Sequence, residues 1–351
     1  MDLLPYILLV LLVGINTTIN TRSSNNFILL VLFLFSALRY NVGFDYPNYH
    51  NIIEFGESYT YERFEVLEKI LVLISRNTDF TQLFFIVNSF ITVFCTGTFI
   101  KTFSNNVSIS LLGYLCLPLF YTASMSTVRF ATAIAILLYA TTFLKNRYYL
   151  RFSVLYLLSL CFHKGAVVGL LFVPLFLITI PRYLNIIILL FGFIGGEFIV
   201  KTILSSSINN VYFELLSAYV QITDGEDGMR IIPYIFLALD LILYFLIRNK
   251  TATSNSIYLY YSIYNLGVGI MFLFSFETTL SIRLSTPFII FLLPLLPSIV
   301  RFNVVKYKLI PSINKLLFWT FCATLFLYNV SIFNSELQRS QYLPYQLFFV
   351  Q

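Results

Sequence analysis

Charge is scarce in this chain: of 351 residues only 11% are Asp, Glu, Lys or Arg, while 58% are hydrophobic. A water-soluble domain of that length could not cover so much apolar surface with so few charges, so lipid must be the solvent. Histidine is nearly missing as well, with only His50 and His163 present, and no paired-histidine spacing for zinc exists. The four cysteines, Cys95, Cys116, Cys161 and Cys322, all lie inside apolar runs, which argues against a disulfide framework and suits small buried side chains. Alternating ten-residue strand patterns, internal repeats, low-complexity tracts and linkers are absent too. These absences disfavour a transmembrane barrel and a repeat array. The formal net charge of +6 is not concentrated on a soluble face, so nucleic acid is not an expected partner.

What remains is a succession of apolar runs long enough to cross ~30 Å of hydrocarbon as helix. Polar punctuation divides them into spans near 3–19, 26–41, 80–100, 108–124, 126–144, 150–163, 165–180, 184–200, 231–248, 256–275, 284–300 and 315–333. The expected fold is therefore all-α: a polytopic integral membrane helical bundle of about 12 transmembrane helices in a single domain, 1–351. The run from Leu3 has no basic region before it and no small-residue cleavage site, so it reads as a retained span. The stretch from Phe64 to Arg76 is short and carries Glu65, Glu68, Lys69 and Arg76, which predicts an interfacial helix.

Basic residues in short loops favour the cytoplasm. Placing Lys145, Arg147 and Arg151 inside puts Arg22, Lys101, Arg182, Arg248, Lys250, Arg301, Lys306, Lys308 and Lys315 inside by parity, and both chain ends outside. Acidic residues then fall outside, apart from Asp240, which lies mid-span. Two outward loops are long, 42–79 and 201–230, and long loops are where a scaffold presents binding and catalytic groups.

Several residues in or beside those loops could carry chemistry. Arg129, in Met125-Ser126-Thr127-Val128-Arg129-Phe130-Ala131, opens a span at its outer end; it fits either a snorkelling helix-end arginine or an anion ligand facing an interhelical cleft. Arg283 stands at the outer mouth of a later span, and Arg230 closes the second long loop. Arginine forks match phosphate oxygens in bidentate geometry, so several on one side would suit a lipid-linked phosphate. His163, in Cys161-Phe162-His163-Lys164-Gly165-Ala166, reads as an interfacial histidine on a backbone group or as a proton-transfer or phosphate-binding group. Asp45, in Gly43-Phe44-Asp45-Tyr46-Pro47-Asn48-Tyr49, and Glu65 are carboxylates near aromatics. Either could serve as a general base or bind sugar hydroxyls, with Tyr46 and Tyr49 as stacking faces for a sugar; Glu65 could equally just complement a helix dipole. Asp240 could pair with a neighbouring span's hydroxyl or be functional.

On these residues the chain resembles the EpsG and Wzy group of bacterial polysaccharide polymerases. The outline of that group is matched in order by Gly43-Phe44-Asp45-Tyr46, Phe64-Glu65, Val128-Arg129-Phe130-Ala131, Phe162-His163-Lys164-Gly165-Ala166 and Arg283-Leu284, over roughly residues 39 to 290. Val66 stands where a proline often follows the group's glutamate, and Phe130 where a polar residue usually follows its arginine. The resemblance implies a GT-C-like glycosyltransferase of the bacterial inner membrane, acting at its periplasmic face. It would join oligosaccharide repeat units carried on undecaprenyl pyrophosphate into O-antigen or exopolysaccharide, with lipid-linked glycans as donor and acceptor, a chain-length regulator as a further partner, and neither metal nor other cofactor. In that scheme Arg129, Arg283 and Arg230 hold pyrophosphate, and His163, Asp45 and Glu65 are the acid–base candidates. A flippase for the same lipid-linked sugar and an O-antigen ligase are the competing readings.

Overall fold

A reciprocal cap sets the first helical boundary. Helix α1 (Leu4–Ile19), with Pro5 in its first turn, ends where Asn20 turns left-handed at φ 43°. Thr21 then caps α2 (Arg22–Ala37): its hydroxyl accepts from the Ser24 amide while the Ser24 hydroxyl accepts from the Thr21 amide. Two donors that a helix start leaves orphaned are thereby satisfied. The computed structural model describes residues 3–56, 64–178, 180–196, 198, 231–248, 255–275, 277–300, 310–334 and 339–349. The loop 201–230 and Arg230 lie outside the described residues.

The loop after α2 is not irregular. It holds β1 (Arg39–Tyr40), α3 (Tyr46–Phe55) and α4 (Val66–Asn77) before α5 (Gln82–Phe103) begins. Helix α4 covers the short stretch expected to be helical: its positions Val66, Ile70, Leu73 and Ile74 are exposed while Glu68, Val72 and Ser75 are buried. After α6 (Val107–Cys116) and the short α7 (Tyr121–Ser126) come α8 (Val128–Lys145) and α9 (Tyr149–Phe162). A 3₁₀ segment, Lys164–Leu171, continues into α10 (Phe172–Leu177). Helix α11 (Arg182–Leu190) runs into a π turn, Phe191–Gly195, and α12 (Ile232–Arg248), α13 (Asn255–Leu273) and α14 (Thr278–Ile289) follow. The chain finishes with α15 (Leu296–Val300), α16 (Ile310–Ser331), β2 (Phe333–Asn334), β3 (Arg339–Ser340) and β4 (Gln346–Leu347). The strands form two antiparallel pairs, β1 with β4 and β2 with β3.

Among the described residues, α5, α8 and α13 are long and apolar enough to cross a membrane, and shorter apolar helices accompany them. Helix overlies each of the twelve expected spans, but several are broken. The run 108–124 splits at Leu117–Phe120, where Pro118 has no amide to donate and Leu119 adopts φ 70°, a conformation costly for a side chain with a Cβ. Pro287 lies inside α14, which gives way to a 3₁₀ turn at Ile290–Leu292.

Two compact units emerge, one made of 1–172 with 296–351 and one of 173–295. In the first, α5 packs on α2 and α8, and an aromatic core of Tyr46, Tyr49, Phe64, Phe84 and Phe85 fills the space beneath α3 and α4. Its two ends differ in chemistry. Lys101 and Lys145 lie at one end, where Lys145 donates to the Thr102 carbonyl at 2.9 Å; Glu65, Arg129 and Lys164 lie at the other. In the second unit, the π turn after α11 packs on α13 so closely that a Cβ on Gly192 would sit 2.4 Å from the Gly269 carbonyl oxygen, the small-residue contact by which lipid-embedded helices associate. Asp240 on α12 accepts from Asn265 at 3.2 Å and from Tyr261 at 3.4 Å, so the mid-span carboxylate meets an amide and a hydroxyl of a neighbouring helix.

Candidate functional site

The site is built from the Gly43 turn upward. Gly43 has φ 103°, and a Cβ there would lie 2.1 Å from the Met125 carbonyl oxygen, so only glycine lets the turn lie against the α7–α8 elbow. The Gly43 amide donates to the Gln341 carbonyl at 2.7 Å and the Phe44 amide to Ser126 Oγ at 3.1 Å. Arg39, 1% exposed, locks the same junction. Its guanidinium donates to the carbonyls of Ser36, Val42 and Met125 and lies over the Phe85 ring. No sequence motif singled Arg39 out; a lone arginine at a helix end gives no sign that it turns inward.

Asp45 starts α3, and the next turn places Tyr46 and Tyr49 on the buried face. Tyr46 stacks on Phe85 with centroids 4.2 Å apart, and its hydroxyl donates to Gln82 Oε1 at 3.2 Å. Tyr49 packs edge-on to Phe64. These two rings are core walls rather than open platforms.

Glu65, Arg129 and the His163–Lys164 turn converge although 64 and 99 residues separate Glu65 from its two partners. Arg129 Nη1 meets Glu65 Oε2 at 3.0 Å, with side-chain exposures of 16% and 8%. Its guanidinium lies 3.9 Å above the Phe64 centroid, and Nε donates to the Tyr49 hydroxyl at 3.4 Å. The other Glu65 oxygen accepts from the Lys164 backbone amide at 3.0 Å. Glu65 thus joins the start of α4, the start of α8 and the turn after α9. An ion pair this far from water is held by geometry, since desolvation of each charge costs several kcal/mol. Removing either partner would leave the other charge buried and unpaired.

His163 caps the 3₁₀ segment: its Nδ1 accepts from the Gly165 amide at 2.8 Å. Phe130 stands edge-on to the imidazole at 5.5 Å between centroids. With Nδ1 accepting, the neutral ring carries its proton on Nε2, so its other nitrogen is a donor.

Glu68 is the residue that sequence reading passed over. It lies one turn after Glu65 and is fully buried. Oε2 accepts from Asn88 Nδ2 at 3.4 Å, while Oε1 has no partner among the described residues. Asn88 Oδ1 in turn accepts from the Thr132 hydroxyl at 2.8 Å, on α8 one turn beyond Arg129. Burial pushes the Glu68 carboxyl up to about 8, against the smaller opposing effects of the Asn88 bond and the Arg129 charge. At neutral pH it is mostly protonated.

Of the other expected anion ligands, Arg283 lies on α14 in the second unit, partly buried; Glu277 caps that helix, its carboxylate accepting from the Thr279 and Leu280 amides. The sequence-predicted residues that the structure brings together are therefore Tyr49, Glu65, Arg129 and the His163 turn, with Asp45 at the start of the helix that carries Tyr49.

The EpsG family matches residues 25–347 of this chain. The chain belongs to that family. The match spans every element that builds the site, from α2 through β4, and carries a membrane polysaccharide polymerase-like role with glycosyltransferase-like activity. No curated protein and no solved structure shows significant similarity to the chain. In this EpsG-family chain the quoted motif residues are spatial neighbours within one unit for four of the five motifs, and the fifth, Arg283-Leu284, lies in the other unit.

Proposed function

We propose that this protein polymerises oligosaccharide repeat units carried on undecaprenyl pyrophosphate, at the periplasmic face of the bacterial inner membrane, yielding O-antigen or exopolysaccharide. The observation that carries the reading is the Glu65–Arg129–Lys164 junction beside His163, in a chain of the EpsG family. Twelve spans in a GT-C-like arrangement, with lipid-linked glycans as donor and acceptor and a chain-length regulator as partner, complete the proposal.

The chemistry follows from the leaving group. The acceptor hydroxyl oxygen bonds to the donor's anomeric carbon, the bond from that carbon to the pyrophosphate oxygen breaks, and the pyrophosphate leaves with the electron pair. Positive charge and N–H donors at the leaving group lower that barrier. Arg129 has five N–H donors; Glu65 and Tyr49 take one each, and a guanidinium still 16% exposed presents the others to an anion. His163, beside the junction, is the further candidate in this proposal for phosphate binding or proton transfer. Glu65, with one oxygen on Arg129 and the other on the Lys164 amide, acts as a positioning residue. Asp45, at the start of α3, is the proposed acceptor for the hydroxyl proton. Arg283 and Arg230 belong to this proposal as further pyrophosphate ligands.

The test is reconstitution of purified protein with lipid-linked repeat units, read as oligomer ladders. Arg129→Lys keeps charge but loses the fork, and is expected to slow elongation by about tenfold or more in protein that still folds and purifies. Wild-type ladders from Arg129→Ala would remove Arg129 from the site.

A further inference from the structure

The second unit holds a cavity of about 320 Å³ lined by Arg182, Asn185, Tyr244, Ile247, Tyr258 and Tyr261, supplied by α11, α12 and α13. Its volume is at the lower end of the range for small-molecule sites. Arg182 lies 5.9 Å from the Tyr258 ring centroid, and no acidic side chain pairs with it among the described residues. Asn185 is 1% exposed. The Tyr258 hydroxyl spends its single proton on the Ile180 carbonyl, at 2.9 Å. Its oxygen must therefore accept from Asn185, at 3.0 Å, which fixes the amide nitrogen on that side; Ser262 Oγ accepts from the same nitrogen at 3.2 Å. The Asn185 carbonyl oxygen is consequently the atom left over, and it has no partner among the described residues. A buried amide oxygen without a donor costs about 1–3 kcal/mol.

Two demands meet in one cavity: an unpaired cation wants an anion, and a buried oxygen wants a hydrogen-bond donor. Tyr244 adds a phenol to the lining, whereas the Tyr258 and Tyr261 hydroxyls are already donated to the Ile180 carbonyl and to Asp240. We propose that this cavity binds the headgroup of a phospholipid whose phosphate is accompanied by a hydrogen-bond donor, as in a phosphoglycerol. The phosphate pairs with Arg182, and the headgroup hydroxyl donates to Asn185 Oδ1. Basic pockets between membrane helices are sites of this kind, and the acyl chains need not leave the bilayer. A choline headgroup has the phosphate but no donor, so the cavity discriminates between the two.

Full-length protein in neutral detergent is titrated calorimetrically with dioctanoyl-phosphatidylglycerol, dioctanoyl-phosphatidylcholine and inorganic phosphate. Saturable binding of the phosphoglycerol lipid is expected, weakened roughly tenfold by Arg182→Gln, a change at an exposed position that leaves the melting temperature alone. Asn185→Leu, accepted only where its melting temperature matches the parent, is expected to bring the two lipids to equal affinity. Phosphatidylcholine binding as tightly as phosphatidylglycerol to the parent protein overturns the proposal, as does wild-type lipid affinity in Arg182→Gln. Inorganic phosphate binding as tightly as the phosphoglycerol lipid assigns the cavity to a free anion and overturns the lipid.

Discussion

Desolvation and charge compete at Glu68, and desolvation wins. Arg129 favours the carboxylate, yet burial outweighs it and lifts the carboxyl to about 8. The sign for stability follows by linkage. The folded state holds a proton that the unfolded state releases near 4.5, so between that value and about 8 the folded state binds more protons and stability falls as pH rises, by up to roughly 1.4 kcal/mol per pH unit from this one group. Glu68→Gln mimics the neutral acid and retains an oxygen for Asn88. Thermal melts between pH 5 and 8 are expected to show a flatter decline in the variant and a higher melting temperature at pH 7.5; parallel curves for the two proteins would show that Glu68 does not carry the proton. The sequence could not announce this. Glu65 and Glu68 are three residues apart on one helix face and look alike as dipole-complementing acids, and only the packing of α5 and α8 separates a paired carboxylate from an orphaned one.

At the scale of elements, apolar periodicity and turn chemistry made the helices readable, including the short α4. Their interruptions were harder to see. Pro118 and Pro287 stood within apolar runs long enough to cross, and a run's length says nothing about whether neighbours will accommodate a break; α7 and the 3₁₀ opening of the seventh segment were missed for that reason. Pairing was equally hidden: Glu65 and Arg129 were each visible as candidates, but that one would neutralise the other depends on a contact across 64 residues. The Gly43 turn is the element on which that contact rests, because it seats α3 and the start of the loop on the α7–α8 elbow. Gly43→Ala must both adopt φ 103° and push its methyl into the Met125 carbonyl. We expect a drop of several degrees in melting temperature together with loss of elongation, measured by differential scanning fluorimetry and the ladder assay. Parent-like values in both would mean that the turn has room to shift.

For the whole molecule, charge distribution is the property that sequence and structure share most directly. With Lys145 placed on one side as part of a short basic loop, parity puts Lys101 on the same side and Glu65, Arg129 and Lys164 on the other; the first unit holds these two groups at opposite ends. Such agreement is not automatic, since one miscounted span between Lys101 and Lys145 would have reversed the later group. It also gives the orientation a direct test. Asn77 and Asn146 are exposed, one after α4 near the Glu65 end and the other after α8 near Lys145. Single cysteines at these positions, in a Cys161→Ser background because the other three thiols are buried, can be challenged with a membrane-impermeant maleimide. Asn77→Cys is expected to label in intact cells and Asn146→Cys only after permeabilisation, because the short loop holding Lys145, Arg147 and Arg151 follows the preference of basic residues for the cytoplasm. The reverse pattern would put the Glu65–Arg129 junction on the cytoplasmic side, where the lipid-linked units would have to be elongated before export rather than after it.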